Sequence, residues 1–177
     1  MVRGFIVGVV VTLVVLAIAG FVVLWTGAIP ANADVKPGGF ERHVAGIWLR
    51  ATLRNEAPKG PNPVELNDAN LIAGVQLYAN HCSVCHGTAA KDAPPTNIAK
   101  GENPEPPQLA REGVEDDPEG VTFWKIKHGI RWTGMPAWKD ELDDKQIWTL
   151  ALFLKHMDDL PPAAAKAWQQ TAVSATH

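Results

Sequence analysis

The sequence predicts an all-α chain, in which one membrane-length helix precedes a single small helical domain. Three observations carry that expectation. No charged residue occurs over the thirty positions from Gly4 to Ala33. Leu71, Val75 and Tyr78, and again Ile147, Leu150, Ala151 and Leu154, recur at the three- and four-residue spacing of a helix face. The length of 177 residues suits one ordinary domain with an appendage and falls short of two full domains.

Composition narrows the function classes. A net charge of −3 argues against a dedicated nucleic-acid binder. With 46% apolar and 20% charged residues, wholesale disorder is excluded. Two cysteines, three residues apart, cannot staple a disulfide scaffold. Seven tryptophans are many for this length and suggest something large and flat to pack against.

The first element is the apolar run, densest from Phe5 to Trp25. About 20 apolar residues at 1.5 Å rise cover a bilayer's hydrocarbon core. A helix is forced there because every backbone amide must find its partner inside the segment. Arg3 and the N-terminal amine precede the run, so the positive-inside rule places the N-terminus in the cytoplasm. Trp25 falls where an interfacial aromatic would sit. The rival reading is a cleaved signal peptide, because Ala31-Asn32-Ala33 forms an A-x-A site. The run is longer than a signal core, so residues 1–26 are expected to stay as an anchor. Either reading exports the remainder.

Residues 27–63 read as a linker carrying a basic amphipathic helix of about 18 residues. Gly38-Gly39 breaks the chain before it. Phe40, Val44, Ile47, Trp48 and Ala51 then recur at helical spacing, with Arg42, Arg50 and Arg54 on another face. Its apolar side is expected either to meet a membrane or partner, or to pack on the domain that follows. Pro58, Gly60, Pro61 and Pro63 predict a semi-rigid hinge. Charge divides at this hinge: residues 34–64 carry a net +2, and residues 65–177 a net −6 with His neutral.

The expected domain runs over 64–161, with a C-terminal tail at 162–177. Asp68 is expected to cap a first helix through Tyr78 and onward to His81. Asp143 and Gln146 make a capping-box variant for a last helix, which Pro161-Pro162 stops.

Within this domain, Cys82-Ser83-Val84-Cys85-His86 is the C-x-x-C-H attachment pattern of c-type haem. Two thiols at this spacing can reach the two vinyl groups of one porphyrin, and the imidazole of the next residue then lies under the iron. A thioredoxin-like C-x-x-C would need a βαβ setting, while the residues before Cys82 read as helix. A zinc site would need two further ligands, and no second Cys pair exists. Chance remains an alternative for five residues. Downstream, Thr133-Gly134-Met135-Pro136-Ala137-Trp138 wedges a thioether between Gly and Pro. That placement makes Met135 a poor core residue and a good sixth ligand, soft and neutral.

Together, these residues resemble the class I mono-haem cytochromes c, here in an exported, membrane-anchored version. The resemblance covers about Asn67 to Leu160. It rests on Gly74-x-x-Leu77-Tyr78-x-x-x-Cys82-x-x-Cys85-His86-Gly87, on Phe123-Trp124-x-Ile126-x-x-Gly129, and on the Met135 loop. It implies an all-α haem domain with a contact between terminal helices, which Gly74 and Tyr78 against Leu150 and Phe153 would supply. It also implies one covalent haem c bound through Cys82 and Cys85, with His86 and Met135 on the iron. A proline carbonyl should accept from the second nitrogen of His86, and Pro94 or Pro95 are the expected sources. Trp132 and Trp138 bracket Met135 and would line the haem or simply pack. His128 reads as a surface histidine, and the acids Glu112, Glu115, Asp116, Asp117 and Glu119 as a solvated face that could also steer a basic partner.

The expected function is electron transfer without catalysis, on the outer face of a bacterial inner membrane, with the haem domain in the periplasm. Its partners would be the membrane, a redox donor and a redox acceptor, and not nucleic acid. Two alternatives stand beside this. One is a fixed haem-bearing subunit in a stable complex with a membrane oxidoreductase. The other is a haem sensor or peroxidase in which Met135 dissociates.

Overall fold

The computed structural model describes residues 2–174. Met1, whose amine enters the orientation argument, and residues 175–177 of the expected tail lie outside the described residues. Among the described residues all regular structure is helical, in the order α1 (Val2–Trp25), α2 (Gly39–Glu56), α3 (Asp68–His81), α4 (Ser83–His86), α5 (Asn97–Gly101), α6 (Leu109–Glu112), α7 (Glu119–His128), α8 (Asp144–His156) and α9 (Pro162–Ser174). The chain forms two compact units, Met1–Val35 and Lys36–His177.

The first unit is essentially α1. Its 24 residues reach about 36 Å at 1.5 Å per residue, enough to cross a bilayer. No side chain of α1 is buried, so every valine and leucine faces outward. Thr12 returns its hydroxyl to the Gly8 carbonyl at 2.9 Å, which leaves no polar side-chain atom unanswered at mid-helix. By length and composition α1 is a candidate membrane span.

The second unit is built around α3, α7, α8 and α9. Helix α3 is capped by Asn67, whose side chain accepts from the Asn70 amide at 2.9 Å. The expected cap, Asp68, is instead the first helical residue. Asn amides and Asp carboxylates cap equally well, and the extended backbone of Asn67 decides between them. Helix α8 carries the full reciprocal capping box between Asp143 and Gln146.

Helices α3 and α8 cross where Gly74 brings the backbones together. A Cβ there would lie 2.5 Å from Phe153 Cβ and 2.8 Å from the Thr149 carbonyl. Tyr78 and Phe153 meet edge to face at 5.6 Å, and both are fully buried. Leu150, Ala151 and Ile147 complete this core. Phe123 of α7 stacks on Trp148 at 4.3 Å and closes its other side.

Helix α9 contributes to the core. Trp168 of α9 is 5% exposed and stands edge-on to both Tyr78 and Phe153 at 5.3 Å. Ala164, fully buried, packs with Leu71 and Leu152.

Helix α2 is joined to α7 at its C-terminal end. The Trp124 indole donates to Glu56 at 3.2 Å, Ala57 is buried, and the Pro58 carbonyl lies hard against Gly120. Asn62 then donates to Glu119 at 2.8 Å and to the Trp148 carbonyl at 3.0 Å. The expected hinge over Pro58 to Pro63 is therefore pinned, because prolines leave the chain extended and Asn62 ties it down.

Candidate haem-binding site

The site starts at the C-terminal end of α3. Cys82 closes that helix, its amide donating to the Tyr78 carbonyl at 2.9 Å. The next turn, α4, carries Cys85 and His86, so both thiols and the imidazole sit on consecutive turns of one rigid segment. The Tyr78 hydroxyl lies 3.1 Å from the His86 carbonyl and 3.0 Å from that of Gly87, and fixes the end of the turn from inside the core. Burial pushes the Tyr78 phenol far above its ordinary range, with the neighbouring Cys82 adding to the effect, so it remains a donor.

Both thiols are held protonated. Burial, reinforced by the charge of Cys85 nearby, pushes Cys82 up to about 12. Burial again, with a hydrogen bond to Glu102 and that residue's charge, pushes Cys85 up to about 11. A redox C-x-x-C needs the opposite, a thiolate stabilised near neutral pH.

His86 donates from Nδ1 to the Pro107 carbonyl at 2.9 Å, since a carbonyl can only accept. That bond leaves the lone pair on Nε2, the nitrogen that a metal would take. Pro94 and Pro95, the expected sources, instead lead into α5, where the Thr96 hydroxyl donates to Val84 at 2.6 Å and accepts from Ala99. The sequence offers prolines at 94, 95, 104, 106 and 107 after the motif, and α5 and α6 decide which returns to the imidazole. Buried Gln108, next to Pro107, donates to the Cys85 carbonyl at 2.9 Å and clamps the turn from the same side.

Met135 lies on a closed loop between α7 and α8. The Ile130 amide donates to the Met135 carbonyl at 3.2 Å, and the Met135 amide donates to the Thr133 hydroxyl at 3.1 Å. Gly129 enters this loop at φ +66°, where a Cβ would meet the Met135 carbonyl at 2.7 Å and the Pro136 carbonyl carbon at 2.6 Å. Trp132 also sits at positive φ, 62°, a strained position for an aromatic residue.

Two contacts bring the Met loop beside the C-x-x-C-H turn. The Glu102 carboxylate lies against Gly134 and accepts from the Cys85 thiol at 3.3 Å. On the other flank, Trp138 meets His81 of α3 edge to face at 5.2 Å. Met135 and Cys82, both half-buried, pack against the same core cluster. Pro107 fills the role expected of Pro94 or Pro95, whereas Glu102 and Gln108 sit in no motif and had no signal in the sequence.

The other candidates are placed as follows. Trp132 turns outward, 69% exposed, and meets Trp48 of α2 at 5.2 Å. His128 is exposed and lies 4.9 Å from the Trp124 ring. The acidic run is largely occupied internally: Asp117 pairs with Lys125 at 2.5 Å, Glu119 takes Asn62, and the Glu115 carbonyl takes Lys155. Lys127 pairs with Asp144 at 2.7 Å.

An all-helical domain with this haem-motif turn defines a class, the cytochrome c domain. Residues 69–154 match the family described as cytochrome c oxidase, cbb3-type, subunit III, a cytochrome c haem domain. A domain of this class implies covalently bound haem c, and the donor set fits that group. Two protonated thiols share one turn with an imidazole whose tautomer is fixed, and a thioether loop is held beside them. No solved structure matches the chain.

Proposed function

We propose that this chain is a membrane-anchored electron carrier with one haem c, bound covalently through Cys82 and Cys85 and ligated by His86 and Met135. The observation that carries the reading is the link through Glu102, which sets Gly134 of the Met loop beside Cys85 of the haem-motif turn. When bound, the haem would accept and release single electrons, at a potential that thioether ligation raises.

The chain's own residues supply the setting. Pro107 orients His86 and strengthens it as a donor through the Nδ1 bond. Gly129, Thr133 and Pro136 hold the Met135 backbone, so its sulfur is aimed by a closed loop. Tyr78 and Gln108 keep the turn from shifting. With two protein ligands the site is closed to substrate, which favours transfer over catalysis. Helix α1 would hold the domain on the outer face of a bacterial inner membrane, with the N-terminus cytoplasmic and the domain periplasmic.

A second reading, a fixed subunit of a membrane oxidase complex, is favoured by the family that residues 69–154 match. Co-purification of a large membrane oxidase with the chain from its native membranes would support it over a free shuttle.

The deciding experiment is an optical spectrum of the chain made with haem-attachment machinery: oxidised, reduced, and reduced with CO. A near-infrared sulfur band in the oxidised form and no CO shift are expected. A large CO shift would move the sensor or peroxidase reading forward, and absence of covalent haem would overturn the proposal.

A further inference from the structure

Helix α2 presents an apolar face to solvent although its position is fixed. Its inner side, with Ala45, Leu49, Thr52 and Leu53, is half-buried. Its outer side carries Phe40 at 84% exposure, Val44 at 43%, Ile47 at 50% and Trp48 at 46%. At 100° per residue these four fall within about one quarter of the helix circumference. The Glu56–Trp124 bond and the Pro58–Gly120 contact hold the helix in this orientation, so the stripe cannot roll inward. Trp132 extends the patch through its contact with Trp48. Such a contiguous exposed apolar surface marks an interaction site.

Charge and chain continuity indicate what covers it. Arg50 and Arg54 flank the stripe, and with Ile47, Leu53 and Val121 they line a shallow cleft. Asp117 also lines that cleft, but it is engaged by Lys125 at 2.5 Å. Among the described residues Arg42, Arg50 and Arg54 form no ion pair, while the haem domain beyond residue 64 is acidic. Only residues 26–38 separate α2 from the end of α1, and thirteen extended residues reach at most about 47 Å. Unpaired arginines beside Phe, Ile and Trp form the composition of a helix that lies in a membrane interface.

We propose that the outer face of α2 docks on a bilayer surface carrying anionic lipid, with Phe40, Val44, Ile47 and Trp48 at the acyl boundary and Arg50 and Arg54 on headgroup phosphates. The proposal rests on the reading that α1 spans the same membrane. Because Trp132 adjoins the stripe, docking brings the Met135 loop close to the lipid surface.

The test uses the full-length holoprotein, reduced, in vesicles of phosphatidylcholine with and without phosphatidylglycerol. With both native cysteines in thioethers, a nitroxide can be attached at Ile47→Cys alone. Separate preparations carry it at Val14→Cys in α1 or at Asp140→Cys as an exposed reference. In the anionic vesicles, the label at 47 should lose access to a water-soluble nickel chelate and gain access to oxygen. Arg50→Glu with Arg54→Glu should reverse that loss, and the label at 140 should stay in water throughout. A label at 47 as wet as that at 140 in both vesicles overturns the proposal, and equal protection in both overturns the anionic-lipid assignment. Protection seen only in native membranes, and not in lipid vesicles, overturns it in favour of a protein surface. Water access at Val14 would signal failure of the anchor reading instead. Preserved haem spectra establish that each variant is folded.

Discussion

Gly74 and Phe153 approach so closely that a single added methyl on Gly74 would fall 2.5 Å from the Phe153 Cβ. The Thr149 carbonyl, 2.8 Å from the same point, belongs to the α8 backbone and cannot swing aside. The crossing of α3 and α8 therefore depends on the absence of a side chain at 74. Gly74→Ala should destabilise the holoprotein by roughly 1–3 kcal/mol, the range for overpacking a tight core. Denaturant unfolding followed by haem absorbance measures this, and an unchanged midpoint would contradict the close crossing.

Trp168 should matter as much as any residue of the motif domain. It is buried against Tyr78 and Phe153, so Trp168→Ala should cost roughly 3–5 kcal/mol. Loss of less than about 0.5 kcal/mol, the range of surface substitutions, would mean that α9 is dispensable.

Changing Cys82 and Cys85 together to Ala should abolish covalent haem, read as loss of haem staining on a denaturing gel. Because the haem would fill part of a small core, the variant should also be unfolded or degraded. A folded, soluble variant would contradict that contribution.

Met135→His should retain haem and lower the potential, because imidazole replaces a thioether. The near-infrared sulfur band should vanish in the same sample. An unchanged potential with an intact band would show that Met135 is not the ligand.

Glu102→Gln removes a negative charge that lies between Cys85 and the Met loop. The potential should rise, because the oxidised, more positive iron loses a favourable neighbour. A shift on the order of tens of millivolts is expected, since 59 mV of a one-electron couple is about 1.4 kcal/mol and partly exposed charges contribute that or less. A redox titration showing a fall would overturn the assigned direction.

Much of this was legible in the sequence, for physical reasons that differ between elements. Gly38-Gly39 and Pro58 bracket α2, and the structure starts and ends it at Gly39 and Glu56. Asp143 and Gln146 announced α8 because a capping box is a local signal. Cys82, Cys85 and His86 stand together in the sequence, and the structure carries them on one turn at the end of α3. What stayed hidden depends on loops. The loop from Gly87 to Gln108 contains five prolines, and only its path selects Pro107. Glu102 and Gln108 act through single contacts that leave no periodic trace. The alanine-rich start of α9 gave no strong helical face, so the packing of Trp168 was only hinted at. The apolar stripe of α2 was legible, but which side would face the domain was decided by Leu49 and Leu53.

The pinning of the segment from Ala57 to Val64 also determines where the protein can be cut. A soluble fragment beginning at Val64 would uncover Gly120 and leave Glu119 and the Trp148 carbonyl without the Asn62 amide. One beginning near Lys36, where the second compact unit starts, keeps those bonds and the Glu56–Trp124 pair. The protease-sensitive joint of the intact chain should accordingly lie between Thr26 and Gly38, upstream of the proline-rich stretch. A fragment released there would carry α2 along as part of its folded body.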